Sequence, residues 1–179
     1  VAHAPDDHEV HGKRAQLLAE AGDVDAAADS FRAGAAGYHK RGFTDRAIAL
    51  LRQGVEHAPK DVEAWLTMAT LTVERLRKAE ADKILATART HFTRKKDRAA
   101  AVRIVEARLA LNKQNVDVAI DRAGLAKELG QRGFGILLLE DLCAVVDARA
   151  RKRLRRALFG LKPTPASLWR WLRNKPAST

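Results

Sequence analysis

The start of the chain carries histidine and acidic side chains close enough together to suggest a metal site. Imidazole nitrogens and carboxylate oxygens are common zinc ligands, and the spacing of His8 and His11 could present two of them. The whole group is His3, Asp6, Asp7, His8, Glu9 and His11. An exposed chain end in which Asp6 or Asp7 caps the first helix accounts for the acidic residues without a metal. We therefore predict no metal site.

The remaining histidines and the glycine-rich segment do not form a catalytic pattern. His39, His57 and His91 fall in different predicted helices, without a carboxylate or nucleophile at a spacing typical of a catalytic pair. The segment GQRGFG, which begins at Gly130, lacks the Lys-Ser/Thr pair of a phosphate-binding loop. We expect no catalytic residue and no cofactor, and hence no enzyme.

The single cysteine, Cys143, lies in the apolar run ILLLEDLCAVV. One cysteine cannot form a disulfide within the chain, and an apolar environment raises the pKa of a thiol. We predict a buried, unreactive thiol with a normal or raised pKa. A free thiol fits a reducing compartment, and the sequence has neither an apolar stretch of transmembrane length nor a signal peptide in residues 1–12. We expect a cytoplasmic protein.

Positive charge is concentrated at the C-terminal end of the chain. The net charge is +11, and residues 148–179 contain ten basic and no acidic residues, against 23 basic and 22 acidic residues before them. The densest part of this segment is Arg149, Arg151, Lys152, Arg153, Arg155 and Arg156. Such a surface attracts nucleic acid, anionic lipid or an acidic protein. The alternative is a solvated cap on the end of the fold.

The segment after Lys162 mixes aromatic and basic residues. A short predicted helix, 166–174, places three apolar residues on one face, with a second tryptophan to the side and two flanking arginines. These are Leu168, Trp169 and Leu172, then Trp171, then Arg170 and Arg173. The mixture suits a lipid interface, base stacking or a partner groove. Alternatively, the tryptophans fold back onto the helices of the chain itself.

The elements that would position these groups are helices throughout. Glycine and proline lie mostly at the boundaries of long helix-forming stretches, and no alternating strand pattern occurs. The predicted helices span 9–21, 24–41, 44–57, 61–77, 79–92, 96–111, 115–130 and 134–159. The last is predicted as one long helix because apolar residues from Ile136 to Leu161 follow a helical spacing and leave the arginines on the opposite face.

Small residues recur through these helices at an interval of 34 residues. Ala35, Ala47 and Gly54 are followed by Ala69, Ala81 and Ala88, Leu51 is followed by Leu85, and Phe31 is followed by Trp65. This period is typical of two-helix repeats, which bury their apolar faces by stacking on their neighbours. The small residues let antiparallel helices approach closely, and the larger ones fill the spaces between them.

The segment from Ala36 to Pro59, AGYHKRGFTDRAIALLRQGVEHAP, resembles the tetratricopeptide repeat (TPR) motif. The matching positions are Ala35, Tyr38, Gly42, Ala47, Leu51, Gly54 and Pro59. A second unit matches at Trp65, Met68, Ala69, Ala81, Leu85 and Ala88. It has Leu76 in place of the turn glycine and Thr93 in place of the closing proline. A third unit fits when four residues are inserted around 93–96.

The resemblance implies an all-α fold, a superhelical solenoid of antiparallel helix pairs with a long C-terminal capping helix. The repeat array would span 1–147, with repeats at 28–61 and 62–95 and a degenerate one at 100–133, and the basic capping helix and Trp/Arg tail would span 148–179. In this family the first helix of each unit lines a concave groove. The implied groove residues are Arg32, Ala36, His39, Lys40, Leu66, Thr70, Val73, Glu74, Ile104, Arg108 and Leu111.

We therefore expect a non-enzymatic scaffold or adaptor that holds a peptide or helix of a protein partner in this groove. The clamp that chaperone-binding relatives use for a C-terminal carboxylate is not expected, because Ala36, Glu63 and Thr67 stand at several of its positions. The basic C-terminal helix would add an electrostatic contact. Two alternatives remain open: a nucleic-acid-binding module that acts through the arginines, and an adaptor anchored on a membrane surface through Trp169 and Trp171.

Overall fold

The computed structural model describes residues 8–162, and every regular element in that range is helical. The chain divides into two compact units between Thr93 and Arg94. The first unit contains α1 (His8–Glu20), α2 (Val24–Lys40), α3 (Thr44–His57), α4 (Val62–Glu74) and α5 (Lys78–His91). The second begins with a 3-10 turn (Lys95–Asp97) and contains α6 (Arg98–Leu111), α7 (Val116–Glu128), α8 (Arg132–Val145) and α9 (Ala148–Leu161). The all-helical prediction is confirmed, and the helix predicted over 166–174 lies outside the described residues.

Helices of the first unit pack against their neighbours through small residues. The alanines of the repeat pattern are all buried: Ala35, Ala47, Ala69, Ala81 and Ala88. Gly54 shows how closely the helices approach, because a Cβ atom there would lie 3.0 Å from the Cβ atom of Phe31 on α2. Carbon atoms in protein interiors pack at about 3.5–4.0 Å. Helix α3 therefore reaches this position because residue 54 has no side chain.

The aromatic residue that opens each repeat stacks on a histidine at the end of the second helix. The ring centroids of Phe31 and His57 are 5.9 Å apart, and those of Trp65 and His91 are 5.8 Å apart. Trp65 also donates its Nε1–H to the carbonyl oxygen of Pro59 at 3.1 Å. His57 and His91 are 34 residues apart, so they occupy equivalent positions in the two repeats. Their role is structural, and each stacked pair is worth about 0.5–1.5 kcal/mol beyond its burial.

Helices α2 and α4 end in the same left-handed turn, although only one of them has a glycine there. Gly42 has a φ of 83°, and Leu76 at the repeat-equivalent position has a φ of 61°. In both turns the following N–H donates to a carbonyl five residues back, Phe43 to Tyr38 at 2.9 Å and Arg77 to Thr72 at 3.1 Å. This is the Schellman arrangement. The second repeat therefore keeps the same turn, although it has Leu76 where the motif has glycine.

The prediction of one long helix over 134–159 is wrong, because the chain turns between α8 and α9. Val146 has an extended backbone, with φ −97° and ψ 163°. Asp147 then caps α9, and its Oδ1 accepts the N–H of Ala150 at 2.7 Å. A carboxylate at this position satisfies an N–H group that has no partner inside the helix. The apolar period alone continues through residue 147 and does not show this cap.

Helix α9 folds back onto α7 and α8 and closes the core of the second unit. Leu154 and Leu161 are buried in one cluster with Leu139 and Leu142. The apolar residues predicted as a single stripe therefore lie on two helices of one core. Helix α9 belongs to the unit that begins at Arg94, and the boundary predicted between 147 and 148 falls inside this unit.

Replacing Leu76 by glycine should stabilise the first unit by about 1 kcal/mol. A residue with a Cβ atom costs about 1–2 kcal/mol in the left-handed region, and the Leu76 side chain is 89% exposed, so little contact is lost with it. The greater freedom of glycine in the unfolded chain cancels part of the gain. Urea denaturation followed by circular dichroism measures the change.

Two matched substitutions separate the backbone effect from the loss of the leucine side chain. Gly42→Ala is the reverse change at the equivalent turn and should destabilise the protein by about 1 kcal/mol. Leu76→Ala keeps a Cβ atom and should leave the midpoint nearly unchanged. A rise with Leu76→Ala equal to that with Leu76→Gly would contradict the backbone explanation.

Candidate functional site

Helices α2 and α4 carry the first-unit residues that the TPR resemblance assigns to a groove, and an ion pair joins the two helices. We call this the α2–α4 surface, and it comprises Arg32, Ala36, His39, Lys40, Leu66, Thr70, Val73 and Glu74. Arg32 Nε lies 3.1 Å from Oδ2 of Asp61, the residue that caps α4. Arg32 also pairs with Asp29 on its own helix. Its guanidinium is therefore already engaged with carboxylates of this chain.

A second ion pair joins α2 to α4 at the far end of this surface. His39 Nε2 lies 3.7 Å from Oε2 of Glu74, and it carries a charge only when the ring is protonated. Its Nδ1 is 3.5 Å from Oγ1 of Thr44. His39 and Glu74 are both nearly half exposed, so the pair contributes little to stability. It nevertheless leaves His39 with an acidic neighbour that any ligand must compete with.

Between these ion pairs, the α2–α4 surface is small and mostly apolar. Ala36 and Thr70 are exposed, and Leu66 and Val73 are half-buried. The Thr70 hydroxyl donates to the carbonyl oxygen of Leu66 at 3.0 Å, so its hydrogen is already used within α4. Lys40 is exposed at the end of α2, and none of the described acidic residues pairs with it. The surface thus offers apolar contact and one available cation.

The groove residues assigned to α6 are placed differently from those of the first unit. Ile104 is fully buried in the second unit together with Ala101 and Val105, so its prediction as a binding residue is wrong. Arg108 and Leu111 are half-buried on the same helix. The third repeat was aligned through an insertion of four residues. Since successive residues of a helix point about 100° apart, a small error in that alignment selects the wrong face.

The basic residues of α9 divide between contacts within the second unit and an outward face. Arg151 donates from Nε to the carbonyl oxygen of Cys143 at 2.9 Å and from Nη2 to that of Val146 at 3.0 Å. These carbonyls lie at the C-terminal end of α8, where helical partners run out. Arg153 pairs with Asp117 on α7. Arg151 therefore joins α9 to the end of α8, whereas Arg153 forms an exposed ion pair with α7 that contributes little to stability.

Three other cations share the face of α9 opposite its buried leucines. Arg149, Lys152 and Arg156 are spaced by three and four residues, which places them side by side on a helix. None of the acidic residues in the described range pairs with any of them. Arg155 is half-buried and close enough to Cys143 to influence its thiol. The outward basic face is therefore narrower than the sequence suggests.

Burial raises the pKa of the Cys143 thiol, and Arg155 and Arg151 only partly oppose this effect, while Glu140 adds to it. The side chain is half-buried and packs against the second-unit core. Because the thiolate is the reactive form, a raised pKa lowers the reactive fraction at neutral pH. The predicted raised pKa is confirmed, although the side chain is less deeply buried than expected.

A cleft of about 510 Å³ lies among α3, α4 and α5. Its lining includes the apolar side chains of Val55, Trp65 and Ile84. At its rim, Arg52 Nη2 lies 3.5 Å from Oε1 of Glu80. No sequence motif marks the cleft, because its lining comes from three different helices.

The described residues show neither a metal centre nor a membrane span. No group of three or more His, Cys, Asp or Glu side chains in that part of the chain is placed to hold a metal ion. No helix there is both long and apolar enough to cross a bilayer. His3, Asp6 and Asp7 fall outside the described residues, as do Trp169 and Trp171.

No family model matches the chain, and no curated protein matches it. A kinesin light chain with nearly identical TPR-like repeats, from Podospora anserina, is 14% identical over 97% of this chain and 94% of its own, with a TM-score of 0.42. Yeast Tom70 is 13% identical over 96% of this chain and 42% of its own, with a TM-score of 0.36. YrrB, a TPR protein with an unusual peptide-binding site, is 10% identical over 89% of this chain and 97% of its own, with a TM-score of 0.35.

The internal repetition and the helix packing together define the fold. Residues recur at an interval of 34 in the first unit, the recurring alanines are buried, and each repeat consists of two packed helices. Those are the properties of a two-helix repeat. The described residues form an all-α fold of packed helix pairs, and the first unit contains a two-helix repeat that resembles the TPR motif.

Replacing Arg151 by alanine should destabilise the second unit by about 1–3 kcal/mol, because two carbonyls at the end of α8 lose a charged donor. Arg149→Ala removes the same charge from the outward face of α9 and should cost less than about 0.5 kcal/mol. Urea denaturation of the full chain compares the two variants. Equal effects would show that Arg151 has no special structural role.

Proposed function

We propose that this protein is a non-enzymatic scaffold that binds a segment of a protein partner across the α2–α4 surface. The observation that carries this proposal is the strip of exposed small residues and half-buried apolar side chains between the two ion pairs of that surface. Ala36 and Thr70 allow a ligand backbone to approach, and Leu66 and Val73 provide apolar contact. Peptides commonly bind helical scaffolds through such alternating apolar contacts.

The charges of the surface restrict the ligand further. Arg32 and His39 already face Asp61 and Glu74, so a ligand carboxylate gains little at either position. Lys40 is the cation that remains available, and it lies at the end of α2. The ligand is therefore a mainly apolar peptide or helix with a carboxylate positioned to reach Lys40. Its binding depends weakly on salt, because few charges are paired on association.

Selection from a phage-displayed library of short random peptides, with the full chain as bait, tests this proposal. The enriched peptides should be apolar with an acidic residue, and synthetic copies should bind in fluorescence anisotropy. Ala36→Arg and Thr70→Arg place a long charged side chain on the strip. Each should weaken binding at least about ten-fold, which corresponds to about 1.4 kcal/mol.

Gln53→Arg is the matched control, because Gln53 is exposed on α3 of the same unit and away from the strip. It should leave the affinity unchanged, and all three variants should keep the helical circular dichroism of the parent. Peptides whose affinity is unaffected by both Ala36→Arg and Thr70→Arg bind elsewhere. That result would overturn the assignment of the α2–α4 surface.

A second candidate function is nucleic-acid binding through the outward face of α9. The observation that favours it is the row formed by Arg149, Lys152 and Arg156, which the described acidic residues leave unpaired. Cations in such a row bind successive backbone phosphates. Deleting α9 is not a usable test, because Leu154 and Leu161 complete the core of the second unit.

The combined variant Arg149→Gln, Lys152→Gln and Arg156→Gln tests this second function. Anisotropy of labelled duplex DNA and single-stranded RNA should show weaker binding at physiological salt. The slope of log affinity against log salt should fall by about 0.7–0.9 for each phosphate contact removed. The control variant Lys13→Gln, Arg14→Gln and Arg41→Gln removes three exposed cations from the first unit. Equal losses for the two triple variants would show only a general charge effect and exclude a site on α9.

A further inference from the structure

One face of α8 leaves several large apolar side chains in water. Phe134, Leu137 and Val145 are 48%, 62% and 63% exposed, and Leu138 between them is half-buried. Their spacing of three, one and seven residues places all four on one side of the helix. We call this set the α8 stripe. Single exposed apolar residues are common, but a contiguous row on one helix indicates a surface that something covers.

The α8 stripe is separate from the face through which α8 builds its own unit. Leu139 and Leu142 on the other side are buried in the second-unit core. A Cβ atom at Gly135 would lie 3.1 Å from the carbonyl oxygen of Ala123 on α7, so the helices are in close contact there. A helix that is apolar on both sides is normally covered on both sides. In the described structure, only one side of α8 is covered.

The stripe is partly fixed in position and has acidic neighbours. The guanidinium carbon of Arg122 lies 4.4 Å from the ring centroid of Phe134, and this contact holds one face of the ring. Asp141 lies within the stripe and Glu140 lies beside it, and both are exposed. An occupant that combines apolar and basic side chains would satisfy both properties of this surface.

The C-terminal tail of this chain has that combination. Its apolar residues share one face at helical spacing and are flanked by two arginines: Leu168, Trp169, Leu172, Arg170 and Arg173. Buried apolar area stabilises such a contact by about 25 cal/mol per Å². The arginines can pair with carboxylates at its edge. Composition and charge therefore match the tail to the α8 stripe.

The point at which the chain leaves α9 makes this contact accessible. Lys127 Nζ donates to the carbonyl oxygen of Gly160 at 3.2 Å, so the end of α9 lies beside the end of α7. The turn that follows α7 leads directly into α8 and to Phe134, and Leu129 in that turn is also 42% exposed. From Lys162 to Trp169 the chain can span about 23 Å. Helix α8 is itself about 21 Å long.

We infer that the tail segment 166–174 docks on the α8 stripe of its own chain, with Leu168, Trp169 and Leu172 on the apolar row and Arg170 and Arg173 near Glu140 and Asp141. This intramolecular contact covers the second side of α8. It is independent of the α2–α4 surface, which lies in the other unit.

Acrylamide quenching of tryptophan fluorescence in the full chain tests this inference. The Trp171→Phe variant retains Trp65 and Trp169, and Trp65 is buried, so the accessible signal comes from Trp169. Trp169 should be shielded in this variant. Adding Leu137→Arg should raise its quenching to that of free N-acetyltryptophanamide and shift the emission to the red, because arginine removes an apolar contact and repels the basic tail.

Leu76→Arg is the matched control, since it makes the same change at an exposed leucine in the first unit. It should leave the quenching unchanged. Full exposure of Trp169 without Leu137→Arg would overturn the inference. Shielding that appears only with increasing protein concentration, together with a dimer in sedimentation equilibrium, would assign the stripe to a second copy instead.

A second measurement covers the case in which Leu137→Arg unfolds the second unit. The double variant Trp169→Ala and Leu172→Ala changes only the tail and leaves the described helices intact. Uncovering the α8 stripe should increase the binding of the dye 8-anilinonaphthalene-1-sulfonate, and unchanged dye binding would contradict the docked tail.

Discussion

Close approach of helices at residues without large side chains is the constraint on which both units depend. Gly54 allows α3 to lie against Phe31, and Gly135 allows α8 to lie against the backbone of α7. Phe31 is thereby held where its ring stacks on His57. The surface residues of α2 take their positions from the same packing, because a helix fixed on one side presents a fixed opposite side. The positions of the surfaces proposed for binding therefore follow from where the small residues lie.

Several charged residues on these surfaces already make contacts within the fold. Arg32 joins α2 to the cap of α4, Arg153 pairs with α7, and Arg151 binds carbonyls at the end of α8. When a guanidinium that already has acceptors binds a ligand, it exchanges one set of hydrogen bonds for another. The binding free energy gains only the difference between the two sets. In the proposed function, recognition on the α2–α4 surface would therefore rest more on apolar contact and on Lys40 than on Arg32. For the same reason the net charge of +11 overstates the charge available to a phosphate backbone.

The helices and the repeat could be predicted from the sequence, because both depend on local periodicity and on spacing along the chain. The break at Asp147 could not be predicted from periodicity, since the apolar residues on the two sides of it keep one continuous helical spacing. Only the cap chemistry of Asp147 distinguishes two packed helices from one long helix. Ile104 was misplaced because helical spacing does not show which of two apolar faces meets the core. The partners of Arg32 and Arg151 depend on how helices pack in space, and no local pattern specifies them.

The turn between α8 and α9 changes what the basic segment can do. In a single continuous helix, the carbonyl groups of Cys143 and Val146 would accept backbone N–H groups of the next turn, and they would not need Arg151 as a donor. Because α9 folds back, its leucines are required in the core. Arg151 then donates to a carbonyl oxygen at the end of α8, and Arg153 pairs with Asp117 on α7. The outward face is then limited to a short row along a helix about 21 Å in length. A ligand on that row can contact only a few phosphates, so specific binding there requires further contacts from outside α9.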